Sequence, residues 1–289
     1  DRLHARMPAM DLHRIVIVGG GAGGLELATR LGDKFGKPKR AQVTLVDARL
    51  THLWKPLLHE VAAGTFDSHE NDVDYIAQAH QHHFDYRLGR MDSLDRERRE
   101  VSLAPTLDED GREIVPRRTI PYDTLVLALG STSNDFGIPG VREHCVFIDD
   151  RTQADAFQRA VMRNYIRAQT QPEQPAPNQM QVVIVGAGAT GVELAAEMHN
   201  MAHQLVAYGF DRIVPERDLK IVIIEATDRI LPALPKRLSE AAQNELHKLG
   251  VEVHARRRVT RVIADGVQTQ DGQFFHAALK VCAAGIKAP

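Results

Sequence analysis

Cysteine is scarce in this chain. Cys145 and Cys282 are its only two, far apart and in no C-x-x-C arrangement, which argues against a disulfide framework and fits a reducing compartment. Long apolar runs are missing as well. No stretch is long enough to cross a bilayer, and no basic start followed by an apolar middle marks a secretory signal. Membrane contact is therefore expected from the surface or from sequence outside these residues. Charge of one sign is lacking too: 36 Lys and Arg against 38 Asp and Glu leave a net charge of −2. Nucleic acid is thus not an expected partner, because phosphate binding needs concentrated positive charge. The run Arg96, Arg98, Arg99 is diluted by Asp95, Glu97 and Glu100 and reads as a solvated strand edge.

What is present is an ordinary globular composition, 43% hydrophobic and 26% charged, on 289 residues, enough for two domains with their own cores. Residues 1–10 read as an irregular leader, with Met7 or Met10 a candidate natural start. Residues 13–18 are a short Ile- and Val-rich run ending at glycines, which predicts a buried parallel strand. Residues 21–35 carry helical spacing, and 41–46 predict a second strand closed by Asp47, so the chain opens as a βαβ unit. Residues 87–120 alternate in short stretches around the turn Asp110-Gly111 and predict an antiparallel excursion. A buried strand follows at 124–129. Residues 153–168 predict a helix and the Pro- and Gln-rich stretch 170–179 a linker or exposed loop.

Then the opening pattern returns. A strand at 181–185, a glycine turn, a helix at 192–208 and a strand at 219–224 closed by Glu225 repeat it. Gly24-Leu25-Glu26-Leu27-Ala28 matches Gly191-Val192-Glu193-Leu194-Ala195. A helix at 238–249, short strands in 251–276 and a last strand at 280–284 complete the chain.

Each repeat carries G-x-G-x-x-G between strand and helix: Gly19, Gly21 and Gly24, then Gly186, Gly188 and Gly191. The first glycine permits the tight turn, the second lets backbone approach a pyrophosphate, and the third lets helix and strand pack closely. The helix N-terminus, which begins near Ala22 in the first repeat, favours the anion. Asp47 and Glu225 are placed to accept hydrogen bonds from ribose hydroxyls, and an acid at Glu225 favours NAD over NADP, with Arg229 nearby as a counter-argument. One such motif is weak evidence. Two in one chain predict one flavin and one nicotinamide nucleotide with a hydride passing between them.

Four further stretches make a resemblance specific. These are Thr51-His52-Leu53-Trp54-Lys55-Pro56-Leu57-Leu58-His59-Glu60, Tyr122 to Ser131 (YDTLVLALGS), Asn134 to Val141 (NDFGIPGV) and Ala283-Ala284-Gly285-Ile286. Through them the chain resembles the type II NADH dehydrogenases among the flavoproteins with two dinucleotide-binding domains. The resemblance implies an α/β fold of two Rossmann-like domains, the glutathione-reductase-like FAD/NAD(P) fold, expected at 11–150 for FAD and 151–289 for NAD. It implies that residues 51–60 lie along the flavin, with Lys55 at the flavin or its phosphates unless it is a solvated loop lysine. It implies that Ala128 and Gly130 cover the FAD, that 134–141 connect the domains, and that Ala284 and Gly285 lie near the nicotinamide.

The resemblance also implies cofactors FAD and NADH, and a quinone as the partner that takes two electrons. It implies a peripheral place on the cytoplasmic face of a bacterial inner membrane, without proton pumping, and a homodimer as one arrangement. The family's later return to the flavin domain, with its quinone-lining and membrane-anchoring parts, is not found before Pro289. Glu193 matches a glutamate that in the family faces flavin and nicotinamide and assists proton supply to quinone. The alternative for Glu193 is a first-turn acid stabilised by the helix dipole, and Glu26 occupies the same place in the other repeat. The isolated cysteines read as small buried hydrophobes rather than a redox pair. His80, His82 and His83 fit no standard zinc spacing, so no metal is expected there. His52 and His59 read as structural or flavin-adjacent, and Trp54 as packing the loop. Two other activities stay open: an NADH-dependent reductase of a ferredoxin or rubredoxin, and a non-catalytic NADH-sensing flavoprotein.

Overall fold

The computed structural model describes residues 12–65, 72–171 and 178–289. The candidate start residues Met7 and Met10 and most of the Pro- and Gln-rich stretch lie outside the described residues. The chain divides into two compact units that interleave in sequence. One comprises Asp1–Trp54 with Asn71–Gly130, the other Lys55–Glu70 with Ser131–Pro289. A single cut at 150 does not describe this: residues 55–65 and 131–150, including the stretch 134–141, fall in the second unit.

In chain order the helices of six residues or more are α1 (Ala22–Leu31), α2 (Leu58–Ala63), α3 (Tyr75–Gln81), α4 (Arg151–Thr170), α5 (Ala189–Ala207) and α6 (Lys236–Lys248). The first unit is built on β1 (His13–Val18), β2 (Ala41–Asp47) and β3 (Asp85–Leu88). Met91–Asp95, Glu100–Leu103 and Arg118–Pro121 form β4, β5 and β6, and Thr124–Leu127 forms β7. The parallel sheet runs in the order β7-β1-β2-β3. Strand β1 is apolar on both faces because both are covered. Ile17 packs with Ala28, Leu45, Tyr75 and Phe84 on one face. Val16 and Val18 pack on the other with Val46 and with Val101, Leu103 and Tyr122 of the antiparallel excursion. That excursion is the sheet β6-β5-β4. It starts later than the alternation suggested, since Arg87 belongs to the parallel strand β3. Arg96, Arg98 and Arg99 lie in the turn joining β4 to β5 rather than on a strand edge. The helical segment 21–35 ends differently from expectation as well: α1 stops at Leu31 and Gly32–Gly36 continue as a π-helical turn.

The second unit repeats the plan. Strands β8 (Gln181–Val185), β9 (Lys220–Ile224), β10 (Glu252–His254), β11 (Val259–Ile263), β12 (Gly266–Thr269), β13 (Phe274–His276) and β14 (Leu279–Cys282) follow one another. A parallel sheet in the order β10-β9-β8-β14 has the antiparallel sheet β11-β12-β13 over one face. Val183, Val185, Val222 and Ile224 meet Val259, Val262, Val267 and Phe275 there. In each unit the first strand has neighbours on both sides, β2 and β7 about β1, β9 and β14 about β8. The glycine turn that follows it therefore opens where the strand order reverses, the crevice that open α/β sheets offer to ligands.

Candidate functional site

In the first unit the turn after β1 is set by two contacts that a side chain would break. Gly19 has φ +105°, and a Cβ there would lie 2.2 Å from the Ala128 carbonyl oxygen. A Cβ on Gly24 would lie 1.8 Å from the Gly19 oxygen, so α1 can seat against the turn only with glycine there. Gly21 is the opposite case, with no atom within 4 Å of where its Cβ would be. Its missing side chain leaves space in front of the first turn of α1, whose N–H groups have no partner inside the helix. Ala22 is the first residue of that turn. Asp47, at the end of β2, takes the Gly20 N–H on Oδ2 at 2.6 Å and the Arg49 N–H on Oδ1 at 2.9 Å. Its carboxylate thus fixes the turn.

Two tyrosines hold this arrangement. The buried Tyr75 hydroxyl donates to the Gly20 carbonyl at 2.6 Å, and its ring stacks on Tyr86 at 5.2 Å. Tyr86 in turn donates to the Arg49 carbonyl. Burial, followed by the charge of Asp47, pushes both phenols well above their ordinary value and keeps them donors. His52 is buried beside them, its basicity lowered chiefly by desolvation against the opposing pull of Asp47.

The second unit repeats the main features of this turn. Gly186 has φ +105°, and a Cβ there would meet the Ala284 Cα at 2.4 Å and the Ala283 oxygen at 2.5 Å. On Gly191 a Cβ would lie 2.2 Å from the Gly186 oxygen, while Gly188 faces open space. Glu225 accepts the Ala187 N–H at 2.8 Å and the Thr227 N–H at 2.7 Å, the places of Gly20 and Arg49 in the first turn. The match extends to the closing strand. Ala128 N–H donates to Val18 and Ala283 N–H to Val185, so Ala128 corresponds to Ala283 and Gly130 to Gly285. Both of those glycines have positive φ. One substitution breaks the parallel: the Ala187 carbonyl, equivalent to that of Gly20, is held by the Leu231 backbone N–H at 2.8 Å rather than by a side chain. Arg229 is turned to the Pro232 and Leu234 carbonyls, which weakens its case as a 2′-phosphate ligand.

Beside this second turn lies a cavity of about 360 Å³. Ala189, Thr190 and Glu193 of α5, Cys282 at the end of β14 with Ala283 and Gly285 just after it, and Lys55, Leu58 and His59 from the α2 segment line it. Glu193 lies one residue beyond the first turn of α5, not within it, so the helix dipole is not what holds it. Its carboxylate stands 3.3 Å from Nδ1 of His59. Glu26, at the same place in the first repeat, instead pairs with Arg30 on open surface at 2.6 Å. Lys55 donates from Nζ to the Ser131 carbonyl at 2.8 Å at the cavity wall. The His59 contact was missed from the sequence because α2 reaches α5 only through tertiary packing. The matching pentapeptides Gly24–Ala28 and Gly191–Ala195, which differ at Leu25 against Val192 and in what surrounds their glutamates, were the available signal.

The remaining candidates are dispersed. Trp54 is half-exposed and meets His52 edge-on at 6.1 Å. His82 pairs with Asp33 at 3.0 Å, and His83 has φ +58° just past the end of α3. Among the described residues no group of three or more His, Cys, Asp or Glu converges as a metal site would require. The cysteines, remote in sequence, share one apolar cluster. Burial pushes the Cys145 thiol up to about 12 and raises that of Cys282 as well, so neither is a ready thiolate.

Residues 13–289 match the family model described as pyridine nucleotide-disulphide oxidoreductase. The chain belongs to that family. It is 41% identical, over 96% of its length, to the type II NADH:quinone oxidoreductase of Haemophilus influenzae. It is 30% identical over 96% to one from Mycobacterium tuberculosis. It spans 65% and 57% of those relatives' lengths. In fold it resembles the NDH2 of Plasmodium falciparum solved with NADH, at a TM-score of 0.79 and 22% identity, covering 96% of this chain and 56% of that one. The resemblance stated from the sequence thus agrees with the names of its curated relatives, and the two-Rossmann α/β fold with its structural neighbour. Among the described residues no helix is long and apolar enough to cross a membrane.

Proposed function

We propose that this chain is the dinucleotide-binding region of a type II NADH:quinone oxidoreductase, holding FAD in its first unit and NADH in its second. The observation that carries the reading is the doubled cradle, each with a strand-end acid clamping its turn, together with the 41% identical relative of that name. The residues fit the cofactors. Gly19, Gly21, Ala22, Gly24, Asp47, Ala128 and Gly130 form the FAD cradle. Gly186, Gly188, Gly191, Glu225, Ala284 and Gly285 form that for NADH. FAD bound there would supply a two-electron carrier between nicotinamide and quinone. The protein's own work is to bind and orient the two dinucleotides, to exclude water, and to move a proton at Glu193. No buried cysteine is poised for disulfide chemistry, despite the family's name. The carboxylate of Glu225 at the ribose favours NADH over NADPH.

A fold of this kind also serves ferredoxin-type reductases; the names of the sequence relatives favour a quinone. With a membrane quinone as acceptor, as the name of the 41% identical relative suggests, this reading puts the protein at the cytoplasmic face of a bacterial inner membrane as a peripheral protein. The test is the visible spectrum of the purified protein under anaerobic NADH, with NADPH as control. A flavin spectrum bleached by NADH and restored by a soluble quinone supports the reading. A flavin that NADH leaves oxidised, or bleaching by NADPH as readily as by NADH, overturns it in whole or in the assignment of Glu225.

A further inference from the structure

The later half of α5 brings two histidines to one place. His199 and His203 are one helical turn apart, so their side chains lie on the same face. Their Nε2 atoms stand 3.1 Å apart, with ring centroids 4.4 Å apart and planes at 53°. Nδ1 of His199 is shut off from solvent, so Nε2 is the nitrogen that this ring offers a ligand. His203 is exposed. The short helix Pro215–Asp218 packs against α5 and brings Oε1 of Glu216 to 3.8 Å from Nε2 of His203. None of this belongs to the cavity beside the second glycine turn. Glu193 precedes His199 by nearly two helical turns, about 9 Å along the axis.

Two imidazole nitrogens this close can share only one proton, and protonating both rings sets like charges side by side. Burial, then the neighbouring His203, lowers the basicity of His199. A neutral ring is the form that a metal takes. The spacing suits one. Two imidazole nitrogens at about 2.0–2.1 Å from a single Zn²⁺ lie about 2.9 Å apart at a right angle and about 3.3 Å apart at the tetrahedral angle. The observed 3.1 Å falls between these. We propose that His199 and His203 chelate one divalent transition-metal ion, Zn²⁺ above all, through their Nε2 atoms. Each ring then keeps its proton on Nδ1, so the neutral pair loses none. Among the described residues no third His, Cys, Asp or Glu converges on the pair as it stands, so water completes the coordination. Glu216, 70% exposed, is long enough to swing its carboxylate toward the ion. Its neighbour Arg217 is engaged by Asp218 and does not compete for it. The ion would tie α5 to the segment that leads into β9, the strand ended by Glu225. The inference does not depend on the function proposed above.

The test is calorimetric titration of the full chain, stripped with a chelator, with ZnCl₂ and with MgCl₂ as control. One Zn²⁺ binds per chain, and Mg²⁺, which prefers oxygen ligands, does not. His203→Ala changes an exposed position and weakens Zn²⁺ at least about tenfold, the smallest loss that removing even an outer-shell partner of a metal brings. The urea midpoint of that variant without metal matches wild type, while Zn²⁺ raises the midpoint of wild type alone. In ¹⁵N-histidine-labelled protein, Zn²⁺ moves the ring signals of two of the 14 histidines to the Nδ1–H form bound through Nε2, and His203→Ala abolishes both shifts. Zn²⁺ that binds His203→Ala as tightly as wild type, that shifts other rings instead, or that gives no heat with wild type overturns the chelate.

Discussion

At single residues, the glycines of each turn separate into two physical kinds, and the two kinds fail differently. Gly191 is packed against backbone that cannot yield: its Cβ would lie 2.2 Å from the Gly186 oxygen. Gly191→Ala should cost about 1–3 kcal/mol of stability by overpacking, seen as an earlier midpoint in urea. Gly188 has nothing within 4 Å. Gly188→Ala should unfold like wild type yet bind NADH roughly tenfold more weakly, ~1.4 kcal/mol, because the new methyl stands where a pyrophosphate approaches. Calorimetric titration beside urea unfolding checks both; a Gly188→Ala that binds normally would remove the phosphate from that place. The strand-end acids make a similar point. Glu225→Gln keeps one good acceptor for two N–H groups, the buried one of Ala187 and the part-buried one of Thr227. It should lose about 1–3 kcal/mol and some preference for NADH.

Whole elements explain what the sequence could and could not disclose. The glycine turns, the acids at strand ends and the repeat were legible because each is a local requirement: a positive φ, a close approach, a strand that stops at a carboxylate. The interleaving was not. Helix α2 reads as part of the first unit by position and belongs to the second by packing against α4 and α5. That is a tertiary fact without a period or a cap to announce it. His59 was invisible as a functional partner for the same reason, although the family resemblance had placed its stretch near the flavin.

The start of β1 carries a further local device. Arg14 donates to the Asp123 carboxylate from its guanidinium at 2.9 Å and from its backbone N–H at 2.8 Å, and the Asp123 N–H donates to the Arg14 carbonyl, fixing β1 beside β7. The hydrogen bonds from Arg14 hold the Asp123 carboxyl far below the ordinary carboxylate value of 3.8. A depressed carboxyl stabilises the fold fully above its unfolded value and loses that contribution as pH falls through its lowered one. Asp123→Asn should therefore unfold earlier than wild type at pH 5 to 7, with the gap closing only well below about pH 4. Denaturant midpoints across that range test it, and a gap independent of pH would assign the effect to packing instead.

For the molecule as a whole, one cradle has been built twice, with the same φ at its first glycine, the same acid clamp and the same closing strand. The two copies share no residue, so their losses should be separable. Asp47→Asn should lower the flavin recovered per chain, read from absorbance, while Glu225→Gln should weaken NADH binding, read by titration. Each variant damaging both equally would contradict independent cradles.

The copies nevertheless differ in who fastens the second carbonyl of the turn. In one it is the Tyr75 side chain; in the other it is the Leu231 peptide. Tyr75→Phe should free the Gly20 carbonyl at a cost of about 1–3 kcal/mol and loosen the flavin. No exchange of side chain removes a peptide N–H, short of proline. The first turn is thus open to drift by point substitution, whereas the second can be retuned at this bond only by reshaping or re-lengthening the loop that brings Leu231 there. Lineages that change their flavin grip and lineages that change their nicotinamide grip should carry different kinds of scar, substitutions in one and insertions or deletions in the other.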